Sequence, residues 1–467
     1  MTGSSGYAEP GVGSAGRVAC EGARAAQPRN RIGDGQRCLP GAPACQRPSP
    51  HPWLRVTPVL AILLLASTAA GALAQDRPAV PDASSGSELS VYLITMGPGK
   101  AVWERYGHNA LWIQDERTGV GRAYNYGLFS FEQENFIVRF VQGRPEYWME
   151  GFDVEPHLRY YMAENRSVWV QTLNLTPAQR ADLRDFLEWN ERPENKFYRY
   201  DPYRDNCSTR IRDAIDRVLG GRLQEATDHD RTHGTYRSHS VRLVADHRPT
   251  YVGLMLALAE PSDRPLSAWE AMFVPLEMRR YLRDVTVLGA DGREEPLVVS
   301  ERTVFESTAT YGRDAPPNWL LAFLAAGCGI AGLIALPVLW PARAAARVVG
   351  TVMGSLWALV AGIAGVVMAG LWLFTNHWIA YGNENLFFAN PVALVLAATL
   401  PFAMRGTRGA MRVSLWVAGA VVALSLLGFL VQVLPWFDQV NGPIVALALP
   451  PNLALGWLVL HSKRTAR

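Results

Sequence analysis

Cysteine is scarce in this sequence of 467 residues, which contains five of them. Cys20, Cys38 and Cys45 fall in a leader rich in Gly, Ala, Pro and Arg, and Cys328 falls inside an apolar run. Cys207 is therefore the one cysteine of the charged central segment, which excludes a disulfide framework there. An unpaired cysteine in an exported domain is a candidate reactive thiol, and an inert buried thiol is the alternative.

Signatures of nucleic-acid binding and of metal binding are also missing. The formal net charge is only +3, and no basic run is interleaved with aromatic residues, which excludes a nucleic-acid partner. His229, His233 and His239 are close in sequence, but their spacing fits no strong zinc signature and no cysteine accompanies them. We expect no metal and no cofactor.

Charge is nearly absent from the C-terminal third, although the whole chain has 19% charged and 49% apolar residues. Each apolar run there is about 20 residues long, which is enough to cross a bilayer. The five predicted spans are residues 319–340, 349–374, 386–404, 413–434 and 444–461. Arginine and lysine occur in alternate loops and after the last span, so the positive-inside rule predicts a cytoplasmic tail at residues 462–467.

The N-terminal part of the sequence is typical of an export signal. Residues 1–52 have no apolar periodicity and are interpreted as a disordered leader or a misannotated start. Residues 53–74 contain Arg55, an apolar run and the small-x-small site Ala72-Leu73-Ala74, which predicts a signal peptide. Residues 75–313 are then expected to form a periplasmic domain attached to the bacterial inner membrane through residues 319–461.

The periplasmic segment has the pattern of an α+β domain. Period-two patterning predicts strands over residues 89–95, 103–113, 122–127 and 167–173. Helical spacing predicts helices over residues 176–191, 209–219, 252–259 and 266–282. The last of these is amphipathic and is expected to lie on the membrane, to cover the site or to pack against the domain. Residues 131–148 are dense in aromatics, which indicates either core or an acyl-chain groove.

The candidate chemistry centres on Cys207, which the pattern places at the start of a helix. A helix N-terminus and a nearby imidazole both lower the pKa of a thiol, and His108 at the start of a strand is the leading imidazole. Asn125, one strand further on, is the candidate that orients the ring. Asn206 and Ser208 are assigned either to an oxyanion site or to support of the helix start, and a plain helix cap is the alternative for Asn206.

A second polar segment, residues 376–385, joins the second and third predicted spans on the outer side and is called the outer loop below. It contains His377, Asn383, Glu384 and Asn385. These four residues are predicted to bind a lipid head group or an acceptor substrate. An ordinary solvated loop is the alternative.

The motifs of the central segment resemble a known family. The order of GHNA (107–110) before NC (206–207) is similar to the permuted papain-like hydrolases and acyltransferases, among them the lecithin:retinol acyltransferase group. MGPG (96–99), YNYG (124–127) and YRDNCST (203–209) resemble the periplasmic domain of Lnb-type lipoprotein N-acyltransferases, and the five spans are similar to that family's layout. The expected fold class is a permuted papain-like α+β periplasmic domain followed by an all-α bundle of five transmembrane helices.

The resemblance implies a membrane thiol acyltransferase. Cys207 would take an acyl chain from an ester of a membrane phospholipid or lipoprotein, with His108 as base and then acid. The resulting thioester would acylate the N-terminal amine of a lipoprotein. Two alternatives remain open from the residues alone: a periplasmic cysteine peptidase or amidase, and a non-catalytic membrane assembly or sensor module with the same fold.

Overall fold

A computed structural model describes residues 86–229, 231–289 and 291–465. The predictions for residues 1–52 and 53–74 lie outside the described residues. Strands and helices are numbered in chain order. The strands are β1 (Leu89–Met96), β2 (His108–Asp115), β3 (Val120–Leu128), β4 (Glu146–Asp153), β5 (Val168–Leu173), β6 (Phe197–Arg199), β7 (Arg231–Thr235), β8 (Pro265–Ser267), β9 (Thr286–Leu288), β10 (Glu294–Pro296) and β11 (Val298–Phe305).

The helices divide between the soluble and the apolar parts of the chain. Those of the soluble part are α1 (Phe136–Val141), α2 (Val154–Ala163), α3 (Pro177–Glu191), α4 (Cys207–Val218), α5 (Arg222–Thr227), α6 (Tyr236–Leu243), α7 (Arg248–Ala257), α8 (Ala268–Ala271) and α9 (Pro275–Tyr281). Those of the apolar part are α10 (Leu320–Leu339), α11 (Ala344–Phe374), α12 (Ala393–Met404), α13 (Arg408–Val431) and α14 (Gly442–Thr465). The predicted α+β domain followed by a helical region is confirmed.

The soluble part is built on a seven-stranded antiparallel sheet in the order β11-β5-β1-β2-β3-β4-β6. Side chains alternate between its two faces. Leu93 and Leu111 pack on one face against Ile211 and Ile215 of α4. The opposite face, which includes Ala110, packs against α2. The N-terminus of α4 therefore lies against β2 and β3, where His108 begins its strand.

Local signals predicted several elements well. Thr176 caps α3 by accepting the N–H of Gln179, and Pro177 occupies the first turn, as its fixed φ favours. The strand predicted over residues 103–113 starts only at His108, because Gly107 adopts a φ of 81° and a 3₁₀ turn precedes it.

Two predictions for the soluble part need correction. The aromatic-rich residues 131–148 contain α1 and the beginning of β4, the strand next to the edge strand β6, which the sequence pattern did not predict. The helix predicted over residues 266–282 is broken into α8 and α9 because Pro275 starts a new helix. Met272 and Phe273 are buried in the domain, so this segment packs against the soluble core and does not lie on a membrane.

Within the described residues, four helices are long and apolar enough to cross a membrane: α10, α11, α13 and α14. The third predicted span, residues 386–404, forms only α12, which has 12 residues. At 1.5 Å per residue it is about 18 Å long, shorter than the roughly 30 Å hydrocarbon core. The third predicted run therefore contains a helix that is shorter than the other four.

The shortening of the third span has a packing cause. Glu384–Phe387 forms a 3₁₀ turn, and the chain at Ala389 and Asn390 crosses α11 at Gly365, where an added Cβ would come within 2.5 Å of the Asn390 carbonyl carbon. Irregular backbone at membrane depth is tolerated where protein buries it. Asn390 is accordingly 4% exposed.

Candidate active site

The start of α4 is capped by Asn206. Its Oδ1 accepts the N–H groups of Ser208 and Thr209 at 2.8 and 2.9 Å. Its Nδ2 donates to the carbonyl oxygens of Pro202 and Phe273, also at 2.8 and 2.9 Å. The cap interpretation is confirmed. Because both amide hydrogens are used, the Asn206 side chain supports the site and has no donor left for an oxyanion.

Ser208 is fully buried and joins α4 to its surroundings. Its hydroxyl donates to the Met272 carbonyl at 2.6 Å and accepts from Asn109 Nδ2 at 3.0 Å. The hydroxyl hydrogen is therefore committed to Met272. Ser208 positions the helix start against β2, and its side chain does not supply a second oxyanion donor.

The Cys207 side chain lies over the end of the β2–β3 pair. Gly127 of β3 has a φ of 92°, and a Cβ added to it would be 3.2 Å from the Cys207 Cβ. Glycine is required there because of both the backbone conformation and the close approach. The backbone N–H groups of Asn109 and Ser208 lie near the thiol and lower its pKa. The thiol thus lies next to the peptide unit that joins His108 to Asn109. Cys207 and His108 are therefore at the same end of the sheet.

Asn125 determines which ring nitrogen of His108 carries the proton. The Asn125 Nδ2 donates to the Ala123 carbonyl at 3.0 Å, so its Oδ1 is the acceptor that lies 3.0 Å from His108 Nε2. Nε2 must therefore donate, and in the neutral ring Nδ1 is left unprotonated. A neutral imidazole with a free Nδ1 lone pair can accept a proton from a thiol.

Arg166 is a neighbour of both groups that sequence reasoning missed. It is 3% exposed, and its Nε donates to the Gly97 carbonyl at 3.0 Å. Its guanidinium lies 3.7 Å from Glu104 and 4.8 Å from the centre of the Tyr161 ring. The MGPG segment (96–99) thus holds this cation beside the site. An isolated arginine outside any motif carried no sequence signal for this role.

The electrostatics of the site keep both groups neutral at pH 7. Burial raises the pKa of the Cys207 thiol to about 11, although the N–H groups of Asn109 and Ser208 and the charge of Arg166 lower it. Burial, followed by the charge of Arg166, lowers the pKa of His108 to about 3. The expectation that a helix N-terminus would leave a low thiol pKa is corrected, because desolvation of the thiolate outweighs the donors. Proton transfer from the thiol must then accompany its attack.

The polar residues of the outer loop are mostly buried in a junction with α7. Asn383 Nδ2 donates to the Leu256 carbonyl at 2.7 Å, and Asn385 Nδ2 donates to the Met255 carbonyl at 2.9 Å. These are the free carbonyl groups at the C-terminal end of a helix. Asn383 is 2% and Asn385 0% exposed. Their amides are used as structural donors, which does not fit the predicted contact with substrate.

The other two outer-loop residues also make protein contacts. The backbone N–H of Glu384 donates to Gln439 Oε1 at 2.9 Å, and Glu384 is 6% exposed. His377 Nε2 lies 3.1 Å from the Phe140 carbonyl of α1. The neighbouring Trp378 donates to Asp201 at 2.8 Å. The outer loop is therefore held against the soluble domain close to the Cys207 stretch (residues 201–209) and is not a plain solvated loop. Its predicted contact with substrate stays a prediction.

No three His, Cys, Asp or Glu side chains converge as metal ligands in residues 86–229, 231–289 and 291–465. His239, one of the three clustered histidines, has Arg242 Nη2 at 3.2 Å from its Nδ1. Burial and the Arg242 charge lower the pKa of His239 to about 4. Its environment is that of a buried neutral histidine.

Two family models match the chain. The Lnb N-terminal periplasmic domain matches residues 78–246, and the Lnb transmembrane domain matches residues 318–458. No curated protein and no solved structure matches the chain. The first match includes Cys207, His108 and Asn125, and the second covers most of the apolar region, including the end of the outer loop where Asn383 and Asn385 lie. The chain therefore belongs to the Lnb family, with a periplasmic domain followed by a membrane domain.

Proposed function

We propose that this protein is a cysteine-dependent acyltransferase of the inner membrane, which transfers an acyl chain from a lipid ester to the N-terminal amine of a lipoprotein. The observation that carries the proposal is the arrangement around Cys207. The N–H of Asn109 lies near its thiol, and the adjacent His108 is oriented by Asn125 with Nδ1 unprotonated. Both Cys207 and His108 are only partly buried, so a substrate can reach them.

In the first step, His108 Nδ1 takes the thiol proton while Cys207 Sγ attacks the ester carbonyl carbon. The carbonyl π electrons move to oxygen, and the backbone N–H groups of Asn109 and Cys207, which lie at the thiol and are not used by the Asn206 cap, stabilise the oxyanion. When the oxyanion collapses, the ester C–O bond breaks and His108 returns the proton to the leaving alkoxide. The products are an alcohol and an acyl thioester on Cys207.

In the second step, the neutral amine of the acceptor attacks the thioester carbonyl. His108 removes a proton from the nitrogen as the C–N bond forms, and the C–S bond breaks to release Cys207. That proton restores the thiol, so the enzyme returns to its starting state. An amide is more stable than a thioester, which makes the transfer favourable in this direction.

The membrane part supports an ester-bearing lipid as the proposed substrate class. Four long apolar helices hold the soluble domain at a bilayer surface. The arginines in alternate loops support a cytoplasmic C-terminus, with the catalytic domain on the opposite side. The permuted papain-like classification of the domain stays a prediction, supported by the order of histidine strand before cysteine helix.

The test is to trap the intermediate. Full-length protein purified from membranes without an acceptor should carry a fatty acyl mass on Cys207, released by neutral hydroxylamine. Cys207→Ala should lack the adduct, and Cys328→Ala, which removes a thiol from α10, should keep it. A peptide adduct on Cys207 would instead support the peptidase alternative, and activity in Cys207→Ala would contradict every thiol mechanism.

The acceptor is tested in cells that lack their own lipoprotein N-acyltransferase. Expression of this chain should produce N-acylated lipoprotein, read by mass spectrometry of the N-terminal lipopeptide. A well-expressed protein that carries the acyl adduct but produces no acylated lipoprotein would contradict the acceptor and leave the thioester chemistry intact.

A further inference from the structure

Helix α1 (Phe136–Val141) exposes an unusual amount of apolar surface. Ile137, Val138, Phe140 and Val141 are between 48% and 63% exposed, and Phe136 is the buried residue of the helix. Contiguous exposed apolar side chains of this kind mark an interaction surface with a membrane or another partner. The position of α1 relative to the membrane helices decides between a membrane and another partner.

The end of α1 is bound to the chain directly after a membrane helix. Helix α11 stays apolar to its last residue, Phe374, and two residues later the Asn376 N–H donates to the Gln142 carbonyl at 2.9 Å. His377 lies 3.1 Å from the Phe140 carbonyl. Because an apolar helix end lies at the boundary of the hydrocarbon core, α1 lies at the depth of the membrane interface.

A basic cleft of about 320 Å³ adjoins α1. Its lining includes three arginines and one glutamate, a net charge of +2: Arg139, Gln142, Arg144, Pro145, Glu146 and Arg199. Arg139 donates to the Glu134 carbonyl at 2.8 Å, and its guanidinium lies 3.6 Å from the Glu146 carboxylate. The one glutamate of the cleft is therefore paired with Arg139. Arg144 and Arg199 are exposed and make no ion pair with a described residue. Two unpaired guanidinium groups suit a phosphate.

A row of aromatic rings connects α1 to the thiol. The Phe129 ring lies 5.1 to 5.6 Å from the rings of Phe131 and Phe136, and 5.0 Å from Tyr147. Tyr147 stacks on Tyr200 at 4.2 Å, and Tyr200 packs near Cys207 beside Gly127. Tyr200 also follows Arg199 in the chain. An apolar path therefore runs from the interface, past the cleft, to the reactive group.

We propose that α1 inserts into the bilayer interface and that the adjoining cleft binds the phosphodiester of a glycerophospholipid through Arg144 and Arg199. The acyl chains of that lipid lie along the exposed side of α1 and the Phe129–Tyr147 row. That the bound lipid is the acyl donor rests on the proposed function. Insertion of α1 and binding of the phosphodiester do not.

Insertion is tested with a fluorescent label in nanodiscs of phosphatidylethanolamine and phosphatidylglycerol. The full chain with Cys20→Ser, Cys38→Ser, Cys45→Ser, Cys207→Ser and Cys328→Ser receives either Ile137→Cys or Val120→Cys, each labelled with NBD. Val120 is 63% exposed but starts β3 at the end of the strand remote from α1. The label at 137 should be blue-shifted and quenched severalfold more by doxyl lipid than the label at 120. Equal emission and quenching at the two sites would overturn the insertion.

Headgroup binding is tested with dihexanoylphosphatidylglycerol added to the full chain carrying Cys207→Ser in detergent. Arg144→Ala combined with Arg199→Ala should raise the Kd about tenfold or more, since two charge-assisted contacts are lost. Arg117→Ala with Arg293→Ala is the matched control, because both arginines are exposed and lie outside the cleft. An unchanged Kd in the cleft variant would overturn the site. Inorganic phosphate that binds as tightly as the lipid would overturn the assignment to a lipid.

These measurements separate the docking site from the chemistry. Both use chains that lack the Cys207 thiol, so failure of the acyl-adduct experiment does not affect them. Conversely, normal adduct formation in the Arg144→Ala, Arg199→Ala variant together with an unchanged lipid Kd would overturn the docking site and leave the acyltransferase proposal standing.

Discussion

The Cys207 stretch (residues 201–209) and the outer loop (376–385) are both short, polar and rich in asparagine, but they use their polar atoms differently. Asn206 and Ser208 use their side chains to fix the start of α4, and the residue between them, Cys207, is only partly buried. Asn383 and Asn385 donate their side-chain amides to carbonyl groups of α7, and neither residue holds a reactive group at the surface. The composition of a polar segment therefore does not identify a site, whereas a reactive atom that remains accessible does.

The largest expected difference between the two regions is in their histidines. His108→Ala should lower kcat/KM for acyl transfer by about 10²- to 10⁴-fold, because it removes the imidazole that we propose as the general base. His377→Ala should leave kcat/KM near the wild-type value, since its ring contacts a backbone carbonyl of α1. Both are measured with purified protein and a lipopeptide acceptor. A comparable loss of kcat/KM in both variants would instead place the chemistry where the outer loop meets the soluble domain.

The ionisation of Cys207 gives the next largest effect. With a thiol pKa of about 11, the thiolate fraction should rise about tenfold per pH unit from about pH 7 to about pH 10. Iodoacetamide alkylation of Cys207 in the Cys328→Ser chain should follow that rise. His108 has a pKa of about 3, so it stays neutral throughout and adds no inflection. An alkylation rate that is already constant at neutral pH would mean a resting thiolate and would restore the expectation made from the helix N-terminus.

The elements that the sequence predicted are those that local signals specify. The capped helix at Thr176, the helix behind Cys207 and the strand order around His108 and Asn125 depend on residues within one or two turns of each other. The grouping of Cys207 with His108 and Asn125 is not local, and it was predicted from the chemistry of a thiol and an imidazole and from the resemblance. Local signals also gave a helix cap as the alternative role for Asn206, because Asx caps are recognisable from sequence.

The features that escaped prediction depend on distant partners. Asn385 and Met255 are 130 residues apart, and nothing in either segment indicates that they meet. The third apolar run has the composition of a span, but at the crossing with Gly365 its first part, residues 386–392, is not α-helical. The pKa of Cys207 depends on how deeply the domain buries the thiol, which a helix-start signal does not contain.

The smallest predicted effect concerns the junction. Asn385→Ala removes the donor to the Met255 and Leu256 carbonyl groups, which lie 2.9 and 3.1 Å from its Nδ2. Leaving buried acceptors unsatisfied costs about 1–3 kcal/mol. Amide hydrogen exchange in the last turn of α7 should therefore be about 5- to 100-fold faster, measured by mass spectrometry in nanodiscs. Asn376→Ala, an exposed amide deletion in the same loop, is the control. If Asn385→Ala abolished acyl transfer without faster exchange in α7, Asn385 would belong with Cys207 as part of the chemistry, and the contrast between the two segments would fail.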